Sequence, residues 1–189
     1  MKGNGVVAAM ARIYKGDLNK IVIKPPTNDS ERLERLQKIE QILEMVIAVH
    51  RLHIVISDFK PGNILQDGRN IFLSDLAGLI REGDPYGTLT PFYFDPREGG
   101  IGAPADHKAD LYAAGLTIFE LLHGPFDPNL VQPTDFVRTH LNLDDPMDYA
   151  IKLLTLENKA ERPPLTSILG IVREEIGRLE HKIGEHQVI

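Results

Sequence analysis

Asp58, Lys60 and Asn63 stand within one short stretch, Ile56-Ser57-Asp58-Phe59-Lys60-Pro61-Gly62-Asn63-Ile64-Leu65, and a second acid, Asp75, follows after a hairpin-like segment. A carboxylate, an ammonium and an amide in one loop are the groups that move a proton and hold an anionic oxygen or a hard cation. Taken alone, Asp58 reads as a loop-capping aspartate. Its company gives it a chemical reading. Other chemistries are closed off by composition. The chain has no cysteine, which removes disulfides, thiolate nucleophiles and cysteine-held metals. Its seven histidines show no zinc-ligand spacing, and His50 and His53, at a helix end, read as capping or packing residues.

The elements that must position these residues are mostly helical. From Glu31 to Leu52, apolar residues recur at steps of three and four (Leu33, Leu36, Ile39, Ile42, Leu43, Val46), which predicts a long helix with a broad buried face. Ser30 is its expected N-cap. Ile64-Leu65 and Asn70 to Leu73 flank Gln66-Asp67-Gly68-Arg69 as a small hairpin. Residues 77–105 are rich in Gly and Pro and have no helical period, so they form a long irregular segment of the functional kind. Ala109 to Leu122 is apolar throughout and predicts a central buried helix. Pro125 to Thr134 reads as loop, and two closing helices cover Pro146–Leu156 and Pro164–Leu179. Val6 to Ala11 is a possible strand.

With 189 residues, 42% hydrophobic and 25% charged, the chain is sized for one core. A net charge of −6 argues against nucleic acid or an anionic membrane as partner. No apolar run reaches the roughly 20 residues of a membrane span, and the amino terminus lacks a signal-peptide core, so a cytoplasmic location is the expectation.

Motif by motif, the chain resembles the protein kinase superfamily, in its Ser/Thr branch. Asp58, Lys60 and Asn63 match the catalytic loop H-R-D-L-K-x-x-N, and Asp75-Leu76-Ala77 is similar to D-F-G. Thr90 to Arg97 resembles the T-P-x-Y-x-A-P-E end of the activation segment, Asp110 to Gly115 resembles D-x-W-S-x-G, and Glu161-Arg162-Pro163 the late Arg-Pro. The resemblance runs from about residue 6 to about residue 176. It implies a mainly α fold, a kinase-like carboxy-terminal lobe with small β-hairpins and no amino-terminal lobe. It also implies one domain over 1–189, an activation segment at about 75–97 and a carboxy-terminal helix at about 164–184.

Roles carry over by position. Asp58 is the catalytic base and Lys60 the cation beside the transferred phosphoryl group. Asn63 and Asp75 are ligands of Mg²⁺, and ATP is the donor. Met10 is the gatekeeper, Ala11 to Ile13 the hinge and Leu65 the apolar floor beneath adenine. Asp110 is expected buried and bonded to the catalytic-loop backbone, and Thr90 bonded to Asp58 and Lys60.

Departures qualify this picture. Ile56 and Ser57 replace the family His and Arg, and Ser57 cannot pair with a phosphorylated segment. Ala77 replaces a glycine. Arg97 stands where a glutamate should meet Arg162, with Glu98 as a substitute partner. The Gly-rich loop and strand lysine that clamp the phosphates would lie before the hinge. The expected alternatives are therefore phosphoryl transfer to a protein Ser/Thr, with an amino-terminal lobe supplied in trans or encoded upstream, or a pseudokinase scaffold. An apolar surface around Met10, Leu65 and Leu76 would favour self-association or a protein partner. A small-molecule phosphotransferase of the aminoglycoside or choline type shares the acids. It does not account for Lys60-Pro61, Thr90–Pro96 or Arg162-Pro163.

Overall fold

The computed structural model describes residues 16–68, 70–127 and 133–186. Strand β1 (Gly16–Asp17) leads into the single-turn helix α1 (Asn19–Val22), and the long helix α2 (Asp29–His50) follows. The N-cap of α2 is Asn28, not Ser30: the Asn28 side chain accepts the Glu31 N–H at 2.9 Å. Thr27 donates both its N–H and its hydroxyl to Glu31 Oε2. Asparagine in an extended backbone satisfies an orphan helix N–H, whereas Ser30 lies already inside the first turn.

Strand β2 (Ile54–Ile56) then enters the site loop, which turns through Pro61–Asn63 into the hairpin β3 (Ile64–Asp67) and β4 (Asn70–Leu73). Gly68, with φ of 63°, makes the turn. The hairpin pairs Ile64 with Leu73, and β1 adds on its open side with Asp17 opposite Leu65. Strand β5 (Leu79–Arg81) pairs antiparallel with β2, Ile56 facing Leu79. The stretch expected to be irregular throughout is thus fastened at its start. Three-residue strands carry too little alternation to be seen in sequence; their pairing partner decides them.

Helix α3 (His107–His123) is the centre of the molecule, with every residue from Ala109 to Leu122 buried. It packs against α2 and against α5 (Pro146–Leu154), while α6 (Leu165–His186) lies along α2. Helix α4 (Pro133–His140) begins inside the stretch read as loop and buries Val137. One apolar cluster joins Leu36, Ile39 and Val46 of α2 to Leu116 and Ile118 of α3, Ile151 of α5 and Ile168 of α6. Among the described residues, no helix is long and apolar enough to cross a membrane.

Candidate active site

Strand β2 ends where the site begins. Its last residue is anchored from α3: buried Asp110 accepts the Ile56 N–H on Oδ2 at 2.8 Å, and His50 Nε2 stands 2.8 Å from the same oxygen. Burial pushes the Asp110 carboxyl up to about 6, against the pull of the His50 hydrogen bond. Ser57, in the place of the family arginine, donates its N–H and its hydroxyl to Gly78 O, each at 2.9 Å. Leu18 N–H donates to Pro61 O and Ile64 O, which ties α1 to the far side of the loop. The loop is held from three directions before its functional side chains are considered.

Those side chains meet. Asp58 Oδ2 accepts from Lys60 Nζ at 2.7 Å and from Asn63 Nδ2 at 2.9 Å. Its Oδ1 accepts the Thr90 hydroxyl, and that hydroxyl accepts from Lys60 Nζ at 2.6 Å. Burial alone would raise the Asp58 carboxyl. The hydrogen bonds from Lys60 and Thr90, with the charge of Lys60, outweigh it and hold the group below the usual carboxylate range. Asp58 is therefore a carboxylate at neutral pH.

Asp75 reaches the same place by a different route. Ser74 donates its N–H and its hydroxyl to Asn63 O, each at 3.0 Å, so the two segments run side by side. A Cβ built on Gly78 would lie 3.5 Å from Asp75 Oδ2, 3.5 Å from Ser57 Oγ and 3.8 Å from the Asp58 Cβ. Asp75 and Asp58 both lie close to that glycine. Ala77 adopts no left-handed backbone; its N–H donates to Asp75 Oδ1 at 3.1 Å, so the substitution of glycine here carries no strain. Asn63 Oδ1 and Asp75 Oδ2 have no hydrogen-bond partner among the described residues. Leu65 is half-buried in β3. Met10, Ala11 and Ile13 lie outside the described residues.

The end of the segment is anchored differently from the sequence expectation. Arg162, with a side chain 0% exposed, donates Nη2 to Asp95 Oδ2, and Arg97 Nε donates to Asp95 Oδ1 at 2.7 Å. Glu98 turns to Lys159 Nζ at 2.6 Å and stays 3.7 Å from Arg162 Nη1. The two arginines thus share one buried carboxylate, and Asp95 does the work expected of Glu98. Asp95 is the sole acid between Asp84 and Glu98, and that isolation was the available signal. His50, read as a packing residue, is the other omission; it bears on Asp110.

No protein-family model matches the chain. The chain is 30% identical over 171 residues to the interferon-induced, double-stranded RNA-activated protein kinase of Rattus norvegicus, covering 85% of this chain and 33% of that protein. It is 35% identical over 105 residues to the serine/threonine-protein kinase PrkC of Bacillus subtilis (strain 168), covering 50% and 16%. With the serine/threonine-protein kinase pkn3 of Myxococcus xanthus it shares 27% identity over 157 residues, covering 73% and 27%. The chain spans about a third or less of the length of these relatives. Among solved structures, the ROP18 kinase domain in complex with AMP-PNP and sucrose superposes with a TM-score of 0.72 at 19% identity, over 93% of this chain and 52% of that one. This chain is protein-kinase-like: most of its length carries the protein-kinase fold, with sequence similarity to Ser/Thr protein kinases.

Proposed function

We propose that this chain carries a Ser/Thr protein-kinase-type site, using Mg²⁺ and ATP to phosphorylate a protein hydroxyl. The observation that carries the reading is the closed Asp58–Lys60–Thr90–Asn63 network, beside which Asn63 Oδ1 and Asp75 Oδ2 stand unpaired among the described residues. Those two oxygens suit Mg²⁺, which takes one or two protein oxygens and fills its remaining positions with phosphate oxygens and water. When bound, the cation offsets the charge of the phosphates. The residues of the chain do the rest. Asp58, ionised and held by three donors, receives the proton of the Ser or Thr hydroxyl. Lys60 keeps a positive charge beside the oxygen anions, and Thr90 holds both in register. Residues 75–97 form the activation segment in this reading. Leu65 serves as the floor under adenine, Met10 as the gatekeeper, and Ala11 to Ile13 supply the hinge.

The deciding experiment is radiolabel transfer from Mg-ATP to a generic acceptor protein, wild type against Asp58→Ala. Transfer that survives the substitution removes Asp58 from the mechanism. A second reading, a pseudokinase that binds a partner without catalysis, is favoured by Leu76, 67% exposed beside Asp75. A rise in melting temperature on adding Mg-ATP, abolished by Asp75→Asn, argues against a pure scaffold.

A further inference from the structure

Where the carboxy-terminal turn of α2 meets the first turn of α3, each brings a histidine. The rings of His50 and His107 are stacked, with centroids 4.1 Å apart and planes inclined by 21°. His50 Nε2 lies 2.8 Å from the Asp110 oxygen that also takes the Ile56 N–H. On the other side, His107 Nδ1 is 3.3 Å from Glu82 Oε1, just beyond β5. An unbroken line of contacts therefore runs from Glu82 through two imidazoles and a buried carboxylate to the backbone that carries Asp58.

The two rings sit in opposite helical fields. His50 is in the last turn of α2, where carbonyl ends favour a cation, and His107 is the first residue of α3, where N–H dipoles oppose one. Burial, and then the charge of His50, hold His107 below the ordinary histidine range, with Glu82 pulling the other way. The other charged groups around the pair have little freedom to compensate. Asp106 is paired with Lys159 at 2.8 Å, and Lys108 Nζ is bonded to Arg162 O at 2.5 Å. Arg51 is exposed to water, and exposed His53 shares Glu82 with His107, its Nδ1 3.5 Å from Glu82 Oε2. A proton added to His107 therefore places a charged ring against the stacked ring of His50.

We propose that His107 is a positioning residue for the phosphotransfer site and makes it sensitive to acid. Neutral, its ring braces His50 against Asp110 and seats the catalytic loop. Protonated, it repels His50, the stack parts and the loop loosens. The effect on turnover rests on the kinase reading given above; the effect on the loop does not. The sign follows from the lowered value of His107: the cost appears as pH falls below the usual histidine range.

His107→Phe keeps a stacking ring that takes no proton, and His107→Ala removes the ring. Amide exchange at Ile56, corrected for intrinsic rates, is followed in the full chain at about pH 7.5 and about pH 5.5, on either side of an ordinary histidine. Phosphotransfer is measured at the same two values. On acidification wild type is expected to lose about tenfold more of its Ile56 protection than His107→Phe, the titration of Asp110 being common to both. His107→Ala should be poorly protected at both. Equal acid losses in wild type and His107→Phe overturn the proposal and place the titration on Asp110. The expected exchange pattern with no phosphotransfer in any variant supports the clamp and sinks the kinase reading instead. If His107→Phe fails to fold, His107→Gln, which also takes no proton, is judged by the same criterion.

Discussion

Replacing Asp95 by alanine strands Arg162, the most deeply buried cation among the described residues. The side chains of Asp95 and Arg162 are 1% and 0% exposed, so neither can turn to water when its partner is lost. Arg162 would keep Leu156 O at 3.0 Å, Lys108 O at 2.7 Å and, at 3.7 Å, Glu98 Oε1. Breaking a buried ion pair from one side costs about 3–5 kcal/mol. With Glu98 within reach, the lower end, about 3 kcal/mol, is expected, or about 6–12 °C of melting temperature for a chain of this size. Arg97, 38% exposed, adds at most about 1 kcal/mol. Urea unfolding of Asp95→Ala, Arg162→Met and the double variant measures this, with Arg97→Ala as control. The double variant should lose much less than the sum of the singles, because no uncompensated charge remains. Acid sharpens the test. Burial raises the Asp95 carboxyl, but hydrogen bonds from Arg97 and Arg162 outweigh it and hold the group below its usual range. Its stabilisation is therefore complete above about pH 4 and is lost as pH falls through the folded-state value, so wild type and Asp95→Ala should converge in acid. A loss below about 1 kcal/mol, or strict additivity in the double variant, would refute the assignment of Asp95 as the buried anchor.

Three further outcomes are expected. Gly115→Ala puts a methyl group 2.8 Å from Thr155 Cγ2 and 2.9 Å from Leu154 Cβ, forcing α3 from α5 at about 1–3 kcal/mol, readable by thermal melting. Asn28→Ala removes the α2 cap and should cost about 1 kcal/mol in urea unfolding, whereas Ser30→Ala should cost much less. Ser57→Ala deletes the hydroxyl bond to Gly78 O; about 1 kcal/mol of stability should go, and Mg-ATP stabilisation should weaken as the Asp75 segment loosens.

Much of this architecture can be read from residue types. Periodicity places α2 within two residues of its observed ends, because a broad apolar stripe against a core leaves a repeated signal. The unbroken apolar run marks α3 as buried on all sides. The pairing of Thr90 with Asp58 and Lys60, and of Asp110 with the loop backbone, follows from the order of the motifs. What escapes has a common cause: it depends on partners distant in the chain. Strands β2 and β5 exist because each finds the other. Helix α4 is eight residues long and has no room for a period. Asp95 meets Arg162 from 67 residues away, and its isolation among non-acidic neighbours says nothing about where that arginine will stand. His50 and His107 meet only because two helix ends converge.

The Thr90 hydroxyl has a consequence for how such a molecule could be regulated. One oxygen donates to Asp58 and accepts from Lys60, so the strap that carries it and the electrical state of the cleft form a single variable. Peeling the strap away would leave the ammonium with the carboxylate, and the carboxylate with Lys60 and Asn63 only. Esterifying that oxygen with phosphate would remove the donated proton and set a dianion against Asp58. On the proposed kinase reading, either event would disarm the centre with Asp58, Lys60 and Asn63 themselves unaltered.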